Sequence, residues 1–160
     1  MNYRIAAYSP EQADAVVALS LRAWEPVFAS IEEALEPEVY RGFYPEGWSV
    51  AQSAAVLEAC ATSDSAWIAI TGSQVIGFVT VKLNQEARIG EIYMIAVDPP
   101  FQGQGIGRAL TEFGLGWMKQ AGMAIAMVET GAGAGHESAR RTYERSGFRI
   151  LPIARYFKKL

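Results

Sequence analysis

Val97-Asp98-Pro99-Pro100-Phe101-Gln102-Gly103-Gln104-Gly105-Ile106-Gly107-Arg108 is the stretch on which the reading of this chain turns. It leaves an apolar, β-branched run (Ile89 to Val97), passes two prolines and three glycines, and enters a segment where Ile106, Leu110, Phe113 and Trp117 recur at helical spacing. A strand, a tight glycine turn and an immediate helix make an anion site, because backbone N–H groups converge there and the helix dipole adds positive potential. Gly103, Gly105 and Gly107 leave room for phosphate groups to approach the main chain.

Glycine turns of this kind serve several nucleotide folds. A P-loop is excluded, since no Gly-Lys-Ser/Thr follows. A dinucleotide turn comes closer, but the third glycine falls one position early; Glu129 stands about where a ribose-binding acid would sit. An NAD(P)-binding oxidoreductase therefore remains a rival at this point.

Working outward, Ala66 to Thr71 and Val75 to Leu83 are apolar runs joined by Gly72-Ser73, which predicts a hairpin. Tyr3 to Tyr8 reads as a first strand. Ser9-Pro10-Glu11-Gln12 reads as a helix start, with Ser9 as N-cap and Gln12 closing a capping box. The helix that follows should kink or end at Pro26. Ile31 to Trp48 is expected to hold a short helix and an irregular loop, and Ser49 to Ala61 a further helix. Downstream, Ala124 to Glu129 returns to strand. Gly131 to Gly135 is a glycine-rich loop, and a helix runs from about His136 to Ser146, with i,i+4 ion pairs expected for Glu137–Arg141 and Arg140–Glu144. Phe148 to Phe157 is expected to supply one or two last strands. The order predicts a mixed α/β (α+β) layered domain: a central, mostly antiparallel mixed sheet flanked by helices. We read residues 1–160 as one domain, with a strand, helices and acceptor-pocket segment over 1–62 and a coenzyme-binding core with C-terminal strands over 63–160.

Two motifs narrow the ligand. Gln102-x-x-Gly105-x-Gly107 resembles the Gln/Arg-x-x-Gly-x-Gly/Ala motif of the GNAT superfamily of acetyl-CoA-dependent N-acetyltransferases. Ala139-Arg140-Arg141-Thr142-Tyr143-Glu144-Arg145-Ser146-Gly147-Phe148 resembles the same family's Ala-x-x-x-Tyr-Glu-x-x-Gly-Phe segment. The specific match covers roughly Gly90 to Phe148.

The resemblance implies transfer of the acetyl group of acetyl-CoA to a primary amine, by direct attack in a ternary complex. It places Tyr143 beside the coenzyme sulfur, as the acid that protonates the departing thiolate. Glu91 stands where some members carry a general base, a role that water fills in others. Strand alternation puts Glu91, Tyr93 and Ile95 on one face. The backbone near Ile95 and Ala96 would polarise the thioester carbonyl, and Val97 would pair with the pantetheine arm. Gln102, Gly103, Gln104, Gly105, Ile106 and Gly107 would hold the pyrophosphate, with Arg108 as a charged supplement and Ala139 at the coenzyme from the last helix. Where many members have Asn, this chain has His136, read either as a pantetheine contact or as a helix-start residue beside a flexible loop. In the family the segment after the first strand lines the acceptor pocket; here it holds Trp24, Glu25, Phe28, Tyr40, Tyr44 and Trp48, whose rings and acids could receive a cationic amine, with Trp24, Phe28 and Tyr93 as the expected acceptor contacts, alongside the core reading of each ring. A non-catalytic acyl-CoA-binding module is the alternative, but such a module needs neither Glu91 nor Tyr143.

Composition limits the partners. At 160 residues, 51% hydrophobic and 19% charged, with net charge −3, the chain reads as an ordinary globular protein; the charge argues against nucleic acid as its main partner, since phosphate neutralisation along a duplex needs clustered Lys and Arg, while a local basic pocket for a small phosphorylated ligand stays open. The expected partner is a small-molecule or peptide amine, and a homodimer is compatible. One histidine and one cysteine give no metal site. Cys60 reads as a buried apolar residue. Met1-Asn2-Tyr3-Arg4 carries no leader pattern, and no apolar run is long enough for a membrane span, so the expected location is the cytoplasm.

Overall fold

The computed structural model describes residues 2–160; Met1, part of the N-terminal tetrapeptide read above, lies outside the described residues. Strand β1 (Arg4–Ala7) leads through a 3-10 turn (Pro10–Gln12) into helix α1 (Ala13–Ala34). The expected capping box forms: the Ser9 N–H donates to Gln12 Oε1 at 2.7 Å, fixing where the helix begins. Pro26 neither ends nor splits α1. One lost backbone bond is outweighed by burial of Val16 and Leu19 before it and Val27 and Phe28 directly after it.

Helix α2 (Pro37–Phe43) and helix α3 (Trp48–Thr62) follow, the first being the short helix expected in the acidic, aromatic stretch. The hairpin of β2 (Ser65–Thr71) and β3 (Gln74–Asn84) turns at Gly72, whose φ of +57° suits glycine. Then come β4 (Ile89–Val97), the turn Pro99–Phe101, α4 (Ile106–Gln120), β5 (Ile125–Val128) and α5 (Glu137–Arg145).

The five strands lie in sequence order in one sheet, antiparallel except for the parallel β4–β5 pair. The dehydrogenase rival falls on this topology, because a dinucleotide fold needs a mostly parallel sheet and only one parallel strand pair is present among the described residues. One face of the sheet packs on α4: Ile76, Val79, Val81 and Ile92 meet Ile106, Leu110 and Met118. The helix buries the 106/110/114/118 row, not the expected 106/110/113/117 row; Phe113 and Trp117 flank it, edge-on to Trp67 at 5.2 and 5.1 Å. The other face packs on α1 and α3 through Val16, Leu19, Val56, Ile68 and Phe78.

Residues 148–157 do not form the expected strands. Pro152 cannot donate to a ladder, and the segment is tied down by side chains instead. Arg155 pairs with Glu129, the Phe157 ring meets Phe43 edge-on, and Lys159 pairs with Glu38. One edge of β5 is thereby left without a strand partner among the described residues.

Candidate active site

The parallel pairing of β4 with β5 covers only Ile89–Ile92 against Ile125–Val128. Past that point the strands part, and among the described residues the C-terminal half of β4 has a strand partner on the β3 side alone. Asp98 N–H donates to Ile76 O at 2.9 Å, and Met94 N–H to Thr80 Oγ1 at 3.1 Å, so both groups point toward β3. By alternation the N–H groups of Ile95 and Val97 point to the open edge, where an extended ligand can add like a strand.

A bulge sits at the parting. Thr80 pairs with Met94 and Val81 with Ile92, leaving Tyr93 as the extra residue. The bulge overturns the expected alternation. Ile95 and Val97 pack toward α4 with Ile92, while Met94 and Ala96 face α1. Glu91 and Ile95 therefore lie on opposite faces. Tyr93 is 42% exposed, and Lys82 Nζ stands 3.3 Å from its ring centroid.

Glu91 faces Lys82 across the β3–β4 pair. Burial raises its carboxyl above the ordinary value, the Lys82 ammonium works against that rise, and the nearby Glu129 carboxylate adds to it. Glu129 follows directly after β5, whose Met127 is the parallel partner of Glu91.

The glycine turn is shaped by backbone. Gly103 and Gly105 have φ of +73° and +82°, in the left-handed region. Gly105 caps α4 without a side chain, so the first N–H groups of the helix remain open. Side chains expected at the coenzyme are engaged elsewhere. Gln102 Nε2 donates to Val97 O at 2.9 Å, Gln104 Nε2 lies 3.4 Å from Pro100 O, and Arg108 pairs with Glu112 at 2.7 Å. The Ile106 side chain is core. What this turn offers a pyrophosphate is its main chain.

Tyr143 lies on α5, 8% exposed, edge-on to Phe148 at 6.0 Å. Burial pushes its phenol up to about 12, which keeps the proton on the oxygen at neutral pH. Ala139 lies one turn earlier on the same face. The loop before α5 leaves no room for a side chain at two of its glycines. A Cβ on Gly135 would stand 2.8 Å from Val27 Cα, and one on Gly131 would stand 2.6 Å from His136 Nδ1. Arg140 donates from Nη1 to Gly131 O and Gly133 O, both at 2.8 Å, which takes it away from the expected partner Glu144. Two backbone carbonyls in reach outcompete one solvated carboxylate. The Glu137–Arg141 pair does form. His136 occupies the position before α5 with its ring against Gly131, its imidazole held below the ordinary value by burial and by the Arg140 charge.

The aromatic residues expected at the acceptor are packed into the fold. Phe28 is buried, stacked on Trp48 at 4.7 Å and edge-on to Tyr44 at 5.3 Å; Trp24 lies edge-on to Phe78 at 6.2 Å. Cys60 is half-buried with its thiol pushed up to about 11, so it holds no thiolate at neutral pH. No group of three or more potential metal-holding residues occurs among the described residues, and no helix there is long and apolar enough to cross a membrane.

Sequence reading alone passed over the Arg22–Asp98 pair. Arg22 Nε and Nη2 each donate to an Asp98 oxygen at 2.8 Å, tying α1 to the residue that joins β4 to the glycine turn. The partners are 76 positions apart. The only sequence trace was an acid placed directly after an apolar strand.

Comparisons with known proteins agree with this layout. A sequence model described as "Acetyltransferase (GNAT) family" matches residues 31–148, extending well upstream of the Gly90 boundary expected from motifs. A mycothiol acetyltransferase of Rhodococcus opacus is 37% identical over 133 residues, 79% of this chain and 38% of that protein. Another, from Streptomyces coelicolor, is 37% identical over 82 residues, 51% of this chain and 26% of that protein. The chain thus spans well under half the length of these relatives. Among solved structures, the PaiA N-acetyltransferase of Thermoplasma acidophilum, in complex with coenzyme A, superposes with a TM-score of 0.71 at 17% identity, covering 96% of this chain and 94% of that one. The ribosomal-protein-S18-alanine N-acetyltransferase of Escherichia coli gives 0.68 at 19% identity, covering 94% and 80%. At these identities the likeness is one of fold. The parted strands, the uncapped α4 and the length of the sequence match together place the chain in the GNAT acetyltransferase family.

Proposed function

We propose that the chain transfers the acetyl group of acetyl-CoA to a primary amine by direct attack in a ternary complex. The observation that carries this reading is the open edge of β4, which ends at the uncapped helix: a pantetheine arm and a pyrophosphate have adjoining backbone donors to meet. Gly103 to Gly107 then hold the pyrophosphate through main-chain N–H groups. The Ile95 N–H offers a donor to the negative charge that develops on the thioester oxygen.

Glu91 serves as the base. Its raised pKa keeps it basic enough to accept a proton from the attacking amine, directly or through water. Tyr143, holding its proton at neutral pH, serves as the acid for the leaving sulfur. Tyr93, on the bulge, is the acceptor-side contact; Trp24 and Phe28 act behind it as packing.

Thiol release from acetyl-CoA over a panel of amines tests the reading. The panel holds a diamine, an amino acid, an aminoglycoside, a peptide with a free N-terminus and lysine, and a mycothiol-derived amine. Amine-dependent release is expected for at least one class. Coenzyme binding without release for any of them would leave the non-catalytic acyl-CoA module standing.

A further inference from the structure

Residues 149–160 carry neither strand nor helix, and Ile150, Leu151 and Ile153 are exposed, so no core holds this segment in place. It is nevertheless anchored three times within five residues. Arg155 Nη2 lies 3.3 Å from Glu129 Oε1, just past β5; the Phe157 and Phe43 ring centroids are 5.0 Å apart at 78°; Lys159 pairs with Glu38 on α2. The segment therefore runs from the point where β4 and β5 part to the helix on the α1 side. The Glu129 carboxylate lies near enough to Glu91 to help raise its carboxyl above the ordinary value. The Arg155 guanidinium thus stands on one member of the carboxylate pair that a protonated amine would approach.

We propose that residues 155–159 form a strap across the acceptor entrance, in which Arg155 and Lys159 hold carboxylates that a cationic acceptor takes over, so that strap opening sets the apparent affinity for positively charged acceptors. The inference rests on the amine-acceptor reading of the Glu91 face. The strength of the anchors fits the role. Both ion pairs have exposed partners, and such pairs are individually weak. A closure of that strength lies within the range that a bound cation shifts. Charge points the same way: Arg149, Arg155, Lys158 and Lys159 crowd the segment, and its two ion pairs are with acids outside it.

The full chain carrying 4-fluorophenylalanine at position 157 reports the Phe157–Phe43 contact by fluorine NMR. Adding 1,5-diaminopentane should raise the open-strap population about two- to tenfold over sodium chloride at equal ionic strength, as expected for displacing two exposed ion pairs. The Arg155→Gln/Lys159→Gln variant should be largely open from the start and indifferent to the diamine. Arg149→Gln, which removes a charge outside both ion pairs, should behave as wild type. A resonance that ignores the diamine, or a double variant that keeps the closed signal, overturns the strap. The readout does not need acetyl transfer. If no amine is acetylated and the diamine still frees Phe157, the strap stands and the chemistry falls; the reverse pattern removes the strap alone.

Discussion

The glycine turn with its flanking β4 and α4, and the region bounded by α1, α2 and the C-terminal segment, present different kinds of surface. Around the turn the available groups are main-chain N–H donors, set by two left-handed glycines and an uncapped helix. Long side chains there are spent internally, as Gln102 is on Val97 and Arg108 on Glu112. On the other side the available groups are side chains from separate elements: Lys82 on β3, Glu91 on β4, Glu129 after β5 and Arg155 in the tail. Main-chain donors recognise what every acyl-CoA has in common, whereas side chains gathered from distant elements can change one at a time. A constant donor and a variable acceptor fit that division.

The contrast can be broken at its strongest point first. Tyr143→Phe removes one oxygen from a buried ring and should lower turnover about 10²–10⁴-fold, with coenzyme affinity changed less than about twofold. Single-turnover kinetics beside calorimetric CoA titration separates the two, and equal turnover would strip Tyr143 of the acid role. Gly105→Val attacks the main-chain side. A β-branched residue at φ +82° bears about 1–2 kcal/mol of strain, so CoA binding should weaken about tenfold or more. Unchanged binding would remove the turn as the pyrophosphate site.

Arg22→Met tests whether the two regions are mechanically joined. It leaves the enclosed Asp98 without its partner, and urea melts should show a loss of about 1–3 kcal/mol. This is less than the ~3–5 kcal/mol of a fully enclosed pair, because Arg22 is half-exposed. The smallest effect belongs to the tuning of Glu91. Its carboxyl, raised by burial above the ordinary value, must be ionised to accept a proton, so activity should fall as pH drops through that raised value. Lys82→Met removes the charge that lowers it and should move this limb to higher pH; Glu129→Gln removes the charge that raises it and should move the limb down. The limb must vanish in Glu91→Gln to belong to this residue.

Much of the fold could be read from local pattern. The capping box at Ser9, the hairpin at Gly72 and the turn at Gly103–Gly105 are each decided by neighbours within a few residues. The misreadings share a different cause. Tyr93 looks like one more strand residue until the β3 register shows it as a bulge, and that extra residue sends Ile95 to the opposite face from Glu91. Arg140 carries a good i,i+4 partner in sequence, but loop carbonyls brought near by the packing of Gly135 on Val27 take it. Residues 148–157 have strand-like composition, yet Pro152 interrupts them and long-range ion pairs decide their path. In each case tertiary contact overrode a local preference, and that is also why the acceptor side is less legible than the turn.

An unpaired strand edge that can receive a pantetheine arm is, to any other polypeptide, a template for β-pairing. The half of β4 beyond Ile92 is such an edge, and it is guarded on the spot. The bulge at Tyr93 breaks its regular spacing, and the Gln102 amide already occupies the Val97 carbonyl. A foreign strand would have to bend around the first and displace the second before gaining a ladder. The cleft thus carries its own defence against aggregation, and Gln102→Ala should be felt as poorer solubility at high concentration.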